Sequence, residues 1–88
     1  MQIQNDKKQL IKDALAKLLI ELRGKKSQFI FASENDISVS IINNIEHGKK
    51  DPQLTTIFKL AEAFNMPCDK FIKLLIKYLP KDFSLIEK

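Results

Sequence analysis

Apolar residues recur at three- and four-residue steps along most of the chain, and the pattern is broken by sparse punctuation, with Pro at 52, 67 and 80 and Gly at 24 and 48. That spacing lines one face of a helix, so the chain reads as all-α. In the first segment Leu10, Ile11, Ala14, Leu15, Leu18, Leu19 and Leu22 form the stripe. Asp6 followed by Gln9 is a capping-box pattern, which predicts a helix from about Asp6 to Arg23 with Gly24 as its left-handed stop. Ser27 is placed to cap a short second helix that starts at Gln28 and fades near Glu34. Asn35 and Asp36 tolerate positive φ, so a tight turn fits between this helix and the next. Ser38 then offers a cap for a third helix, about Val39 to Glu46, with Ile42 and Ile45 on one face, Ile41 beside them and Gly48 ending it. Leu54, Ile57, Phe58, Ala61 and Phe64 predict a fourth helix that stops at Asn65. After Met66 and Pro67 a fifth runs from about Cys68 to Leu79.

The fifth helix carries more apolar surface than one face of a helix in so small a domain can bury, so part of it should meet a second chain. Phe71, Leu74, Leu75 and Tyr78 are the expected two-fold interface. Behind Pro80 the tail KDFSLIEK holds Phe83, Leu85 and Ile86, and three fates are open to it: packing back, pairing with a partner or staying loose.

Composition narrows the class. The 88 residues suffice for one domain, 1–88, with a modest core. Lys and Arg outnumber Asp and Glu by 15 to 11, which tilts the long-range field toward anionic partners such as nucleic acid. Cys68 is the only cysteine. It can form no intrachain disulfide and has no neighbours at metal-ligand spacing, so it reads as an inert thiol in a reducing compartment. No apolar run approaches the roughly 20 residues of a membrane span, and the N-terminus lacks a signal-peptide core. A cytoplasmic protein is expected. Neither a glycine-rich phosphate loop, a metal cluster nor a nucleophile with its base is present, and His47 has no catalytic company, so no enzyme, cofactor or metal is expected.

Two short helices separated by about three residues, the second wet on one face, have the layout of a helix-turn-helix, here about residues 28–47. Its inward positions fall on Phe31, Ala32, Ile37, Ile42 and Ile45, all apolar, with Ala32 small where the helices approach. SerGln at 27 and 28, Ala32, IleSer at 37 and 38, IleIle at 41 and 42, IleGluHisGly at 45 to 48 and Pro52 resemble the Cro and CI repressor type of helix-turn-helix, the XRE family. The run from Leu54 to Met66 is similar to the family's fourth helix and exit turn, so the resemblance spans about Leu15 to Leu75.

The resemblance implies a five-helix bundle of the lambda-repressor-like DNA-binding type, here with extended first and fifth helices, the fifth (about 68–79) serving dimerisation, and a short tail, 80–88. It also implies operator binding as a homodimer. Three departures stand out. LysLys occupies the place of a Gly and an apolar residue before SerGln, with a first connection about two residues shorter. Asp36 replaces the turn glycine. Phe29 and Ile30 replace a polar pair, and packing against the long first helix or contact with a partner would each account for them.

With Ile42 and Ile45 inward, helical spacing turns Val39, Ser40, Asn43, Asn44 and His47 outward. In the resembling repressors the positions matching Val39, Ser40 and Asn44 approach base edges, and that matching Asn43 lies close to bases or backbone. Asn pairs with adenine N6 and N7, Ser bonds several edges and a Val methyl meets the thymine methyl, so an A·T-leaning half-site is expected. Gln28 and the free N–H groups of the second helix can hold a phosphate, as the family's matching Gln does. Ser38 can serve as cap and phosphate donor, Lys49 and Lys50 follow the third helix toward the backbone, and Lys25 and Lys26 extend the patch. Glu46 is expected to brace the bundle. Double-stranded DNA is therefore the expected partner. The competing expectation, an interaction module such as an antitoxin that binds a protein, draws on Phe29, Ile30 and the tail.

Overall fold

A computed structural model describes residues 3–86, and among them the chain is five α-helices with no strand. They are α1 (Ile3–Arg23), α2 (Gln28–Glu34), α3 (Val39–Glu46), α4 (Leu54–Ala63) and α5 (Cys68–Ile76). Local rules account for most of their ends. Ser27 and Ser38 stand in extended backbone, and each Oγ accepts from the N–H three residues on, Ile30 and Ile41 respectively. Gly24 and Gly48 follow α1 and α3 with φ of 61° and 69°. Asp36 and Asn65, at 53° and 56°, take the left-handed conformation without glycine, as their short polar side chains permit.

Two ends differ from expectation. α1 begins at Ile3, so Asp6 lies inside the helix and is not its cap; the Asp6 side chain lies outside the described residues. Gln9, the other half of the supposed capping box, instead donates from Nε2 to Asp13 Oδ1 and to the Gly48 carbonyl, both at 2.8 Å. α5 is not extended: it stops at Ile76, and Lys77, Tyr78 and Leu79 continue only as i→i+3 turns onto the carbonyls of Leu74, Leu75 and Ile76. Pro80 has no N–H to donate back to the Ile76 carbonyl, so the helix cannot be carried through it.

The core joins Leu15, Leu18 and Leu19 of α1 to Phe31, Ile42, Ile45, Leu60 and Phe71. Phe31 stacks on Phe64 with centroids 5.1 Å apart, and Phe64 on Phe71 at 6.5 Å, tying α2 to the α4–α5 corner. Each such buried side chain contributes about 1.5–3 kcal/mol from area alone. All five predicted inward residues of the two-helix unit, Phe31, Ala32, Ile37, Ile42 and Ile45, are buried.

Burial also corrects some expectations. Leu10, Leu54 and Phe58 belong to the periodic stripes yet stand exposed, while Leu60 joins Ala61 as the buried pair of α4. Phe29 is 71% and Ile30 47% exposed, so neither packs on α1. Phe71 is fully buried and Leu75 nearly so, both within this one chain. They belong to its own core and leave Leu74 and Tyr78 as the members of the expected interface that reach the surface. No helix among the described residues is long and apolar enough to cross a membrane.

Candidate nucleic-acid interface

α3 is anchored from behind and wet in front. Ile42 and Ile45 fix its inner side, while Val39, Ser40, Asn43 and His47 are exposed and Asn44 is half-buried at the margin. The eight residues make a rod about 12 Å long, of a size that a major groove about 12 Å wide admits. His47 Nδ1 lies 2.8 Å from the Asn43 carbonyl. A carbonyl only accepts, so Nδ1 carries the proton and Nε2 is turned away from the helix.

The junction of α1, α2 and α3 is polar and satisfied. Arg23 donates from Nε to Glu46 Oε2 at 2.6 Å and from Nη2 to Oε1 at 2.7 Å, a two-pronged pair with side chains only 15% and 4% exposed. The bond to the carboxylate raises the Arg23 pKa above its already high value, outweighing the opposite pull of burial, so Arg23 is a cation at every relevant pH. Arg23 Nη1 also donates to the Lys26 carbonyl, which holds the short connection after Gly24 closed. Gln28 Nε2 donates to Glu46 Oε1 at 2.8 Å, and Asn43 Nδ2 donates to Gln28 Oε1 at 3.1 Å.

The expected bracing role of Glu46 thus agrees with its position; its partner is what sequence reading missed. A signal existed. Arg23 is the sole arginine of a lysine-rich chain, and a flat guanidinium is what a buried two-pronged carboxylate contact requires.

The expected phosphate ligands are found in different states. Gln28 is half-buried with both ends of its amide engaged, leaving one N–H over. Ser38 is exposed at the start of α3, its oxygen already accepting from Ile41 N–H. Lys49 and Lys50 are exposed just past α3. Lys26 points to Glu34, Nζ to Oε1 at 2.6 Å, in an exposed ion pair that a phosphate could displace at small cost. Lys59 is drawn aside to Asp36, bonding its carbonyl at 3.2 Å. No group of metal-ligating side chains occurs among the described residues.

A family model described as helix-turn-helix matches residues 31–71, from the middle of α2 to the first turn of α5. Residues 31–71 of the chain are thus similar to the helix-turn-helix family. The match supports the resemblance to the Cro and CI regulators, the XRE group, and the all-helical five-element fold agrees with it. The helix-turn-helix is a DNA-binding regulator domain. The matched span contains α3 and its caps, whereas Lys26 and Gln28 precede it. No curated protein and no solved structure is a significant match to the chain.

Proposed function

We propose that this helix-turn-helix protein is a sequence-specific transcriptional regulator, most simply a repressor or controller, that binds an operator in the cytoplasm as a homodimer. The observation that carries the reading is the division of α3. Its isoleucines are locked in the core while Val39, Ser40, Asn43 and Asn44 form an edge free of charge, flanked by Gln28 and Ser38 on one side and Lys49 and Lys50 on the other. Neutral hydrogen-bonding groups suit base edges, and the flanking cations and amides suit phosphates. Lys26 joins the phosphate contacts once it leaves Glu34.

For the dimer, Leu74 and Tyr78 line an apolar groove of about 390 Å³ together with Leu18, Leu22, Glu21 and Lys77, and this groove is the proposed two-fold surface. Selection of bound duplexes from a random pool tests the function. Enrichment of a two-fold repeat with half-sites about 34–36 Å apart, one duplex turn, is expected. Uniform weak binding with no enriched sequence would remove the regulator reading.

A second reading is supported by Phe29 and Ile30, which stand exposed on α2 next to the proposed DNA face. An antitoxin or adaptor would cover them with a protein partner. Recovery of a stoichiometric partner that Phe29→Ser abolishes, with Asn44→Ala leaving DNA binding unchanged, would favour it.

A further inference from the structure

The hydrogen bonds that link Arg23, Glu46, Gln28 and Asn43 have a direction. Glu46 stands at the root. Its carboxylate only accepts, and Arg23 grips it from one side through Nε and Nη2. Gln28 must therefore turn its amino end to Glu46, which it does at 2.8 Å, and this sends Oε1 toward α3. That oxygen again only accepts, so Asn43 must answer with Nδ2, at 3.1 Å. A carboxylate 4% exposed at the α1–α3 junction thus decides which way an exposed asparagine faces. Asn43 is left with Oδ1 and a single N–H for any outside partner.

We propose that this relay makes Asn43 a reader of adenine against guanine in the major groove, with Glu46 and Gln28 as positioning residues for that one base. The inference rests on α3 being the groove helix and deepens that reading. Adenine presents a donor, N6–H, beside an acceptor, N7, which matches one acceptor and one donor on Asn43. Guanine presents two acceptors, N7 and O6. Two donors would be needed, and Gln28 holds one of the two N–H groups of Asn43. An asparagine on a free helix surface has no such constraint, because its amide can turn over and offer both protons.

Glu46→Gln reverses the logic. An amide at position 46 can donate, so Gln28 is free to turn over and give Nε2 to Asn43 Oδ1, which releases both Asn43 protons to the groove.

The test is selection of bound duplexes from a random pool by the full chain and by Asn43→Ala, Glu46→Gln and Gln28→Met, with thermal melts to establish folding. The wild type is expected to enrich one adenine in each half-site over guanine by roughly tenfold or more. Asn43→Ala, an exposed change that leaves the core intact, should erase the preference at that position alone. Glu46→Gln should cut the A-to-G ratio there by roughly tenfold while other positions keep theirs. Should Glu46→Gln not fold, Gln28→Met breaks the relay from its middle. It also weakens binding to every sequence through the phosphate contact, so its base ratio is what counts. A purely bracing Glu46 would change stability and leave base ratios alone. Folded variants that select the same bases at the same ratios as wild type overturn the relay and leave the regulator reading standing. A wild-type protein that enriches no sequence overturns the regulator reading itself.

Discussion

Glu46 and Tyr78 show how differently one hydrogen bond weighs in two settings. Glu46 is almost fully covered and holds Arg23 and Gln28 together, so Glu46→Ala strands a guanidinium at a junction with little access to water. Loss of one partner of a partly buried, charge-assisted pair costs about 1–3 kcal/mol, a sizeable part of the about 5–15 kcal/mol that holds a small domain folded. Urea denaturation should show that loss, and the double replacement Arg23→Met with Glu46→Leu should recover much of it, since no charge is then left unpaired. Equal stability of Glu46→Ala and wild type would mean that the pair contributes nothing. Tyr78, in contrast, lies at the surface and donates its hydroxyl to Glu21. That bond to a carboxylate favours the protonated phenol and raises its pKa above the ordinary value. Any stability this adds is present while the phenol stays protonated and is lost as pH rises through the folded-state value. With one Tyr and no Trp in the chain, absorbance at alkaline pH reports Tyr78 alone. The titration should lie above that of free tyrosine and fall back toward it in Glu21→Ala, and a midpoint unmoved by that change would exclude the contact.

At the scale of elements, the boundaries that sequence reading located well are those set by a single residue acting on its own backbone. Ser27, Ser38, Gly48 and Asn65 behave as caps and stops because hydroxyl geometry and left-handed backbone are local properties. Gly48 is the sharpest test of this. Its φ of 69° alone makes an L-residue cost about 1–2 kcal/mol, and a Cβ there would also sit 2.7 Å from Asp13 Oδ1, the movable end of an exposed side chain. Gly48→Ala should therefore lower stability by about 1–2 kcal/mol. Adding Asp13→Ala should recover little of it, because the backbone strain remains; full recovery would assign the cost to the clash instead. What was not legible was assignment across distance. The apolar surplus of α5 was plain, but periodicity gives the amount of apolar surface and not its neighbour, so Phe71 and Leu75 read as interface while the core had already taken them. Phe29 and Ile30 could be read either as packed on α1 or as open to a partner, and the same limit of periodicity kept that choice open until their exposure decided against packing. Arg23 meets Glu46 across 23 residues of chain, a pairing that no local rule contains. The edge of α3 was legible as a set of outward residues, and the relay that orders them was not.

For the whole molecule, the question is how so small a domain would hold the proposed operator. Its lysines are spread over much of the chain, so the field that would attract DNA is broad, and the proposed contacts at Lys49 and Lys50 would supply only a few phosphates per copy. Two copies on one duplex double that count and link two readings of sequence, which is the advantage the Leu74–Tyr78 groove would provide. The groove lies on the α1–α5 side of the bundle. Leu74 is half-buried at its edge, so Leu74→Glu adds a charge where a partner would press and leaves Leu18, Leu19 and Phe71 in place beneath. The variant should stay folded, sediment as a monomer and bind a single half-site as wild type does. On a duplex with two half-sites it should lose roughly tenfold or more in affinity, and its dependence on salt should become shallower, because fewer phosphates are engaged per binding event. Moving the half-sites apart by half a helical turn should weaken wild type and leave Leu74→Glu unaffected, since only a rigid two-fold pair senses which side of the duplex each half-site faces. A Leu74→Glu protein that remains dimeric, with wild-type affinity and spacing preference, would place the two-fold surface elsewhere on the bundle and return the groove to a purely structural role.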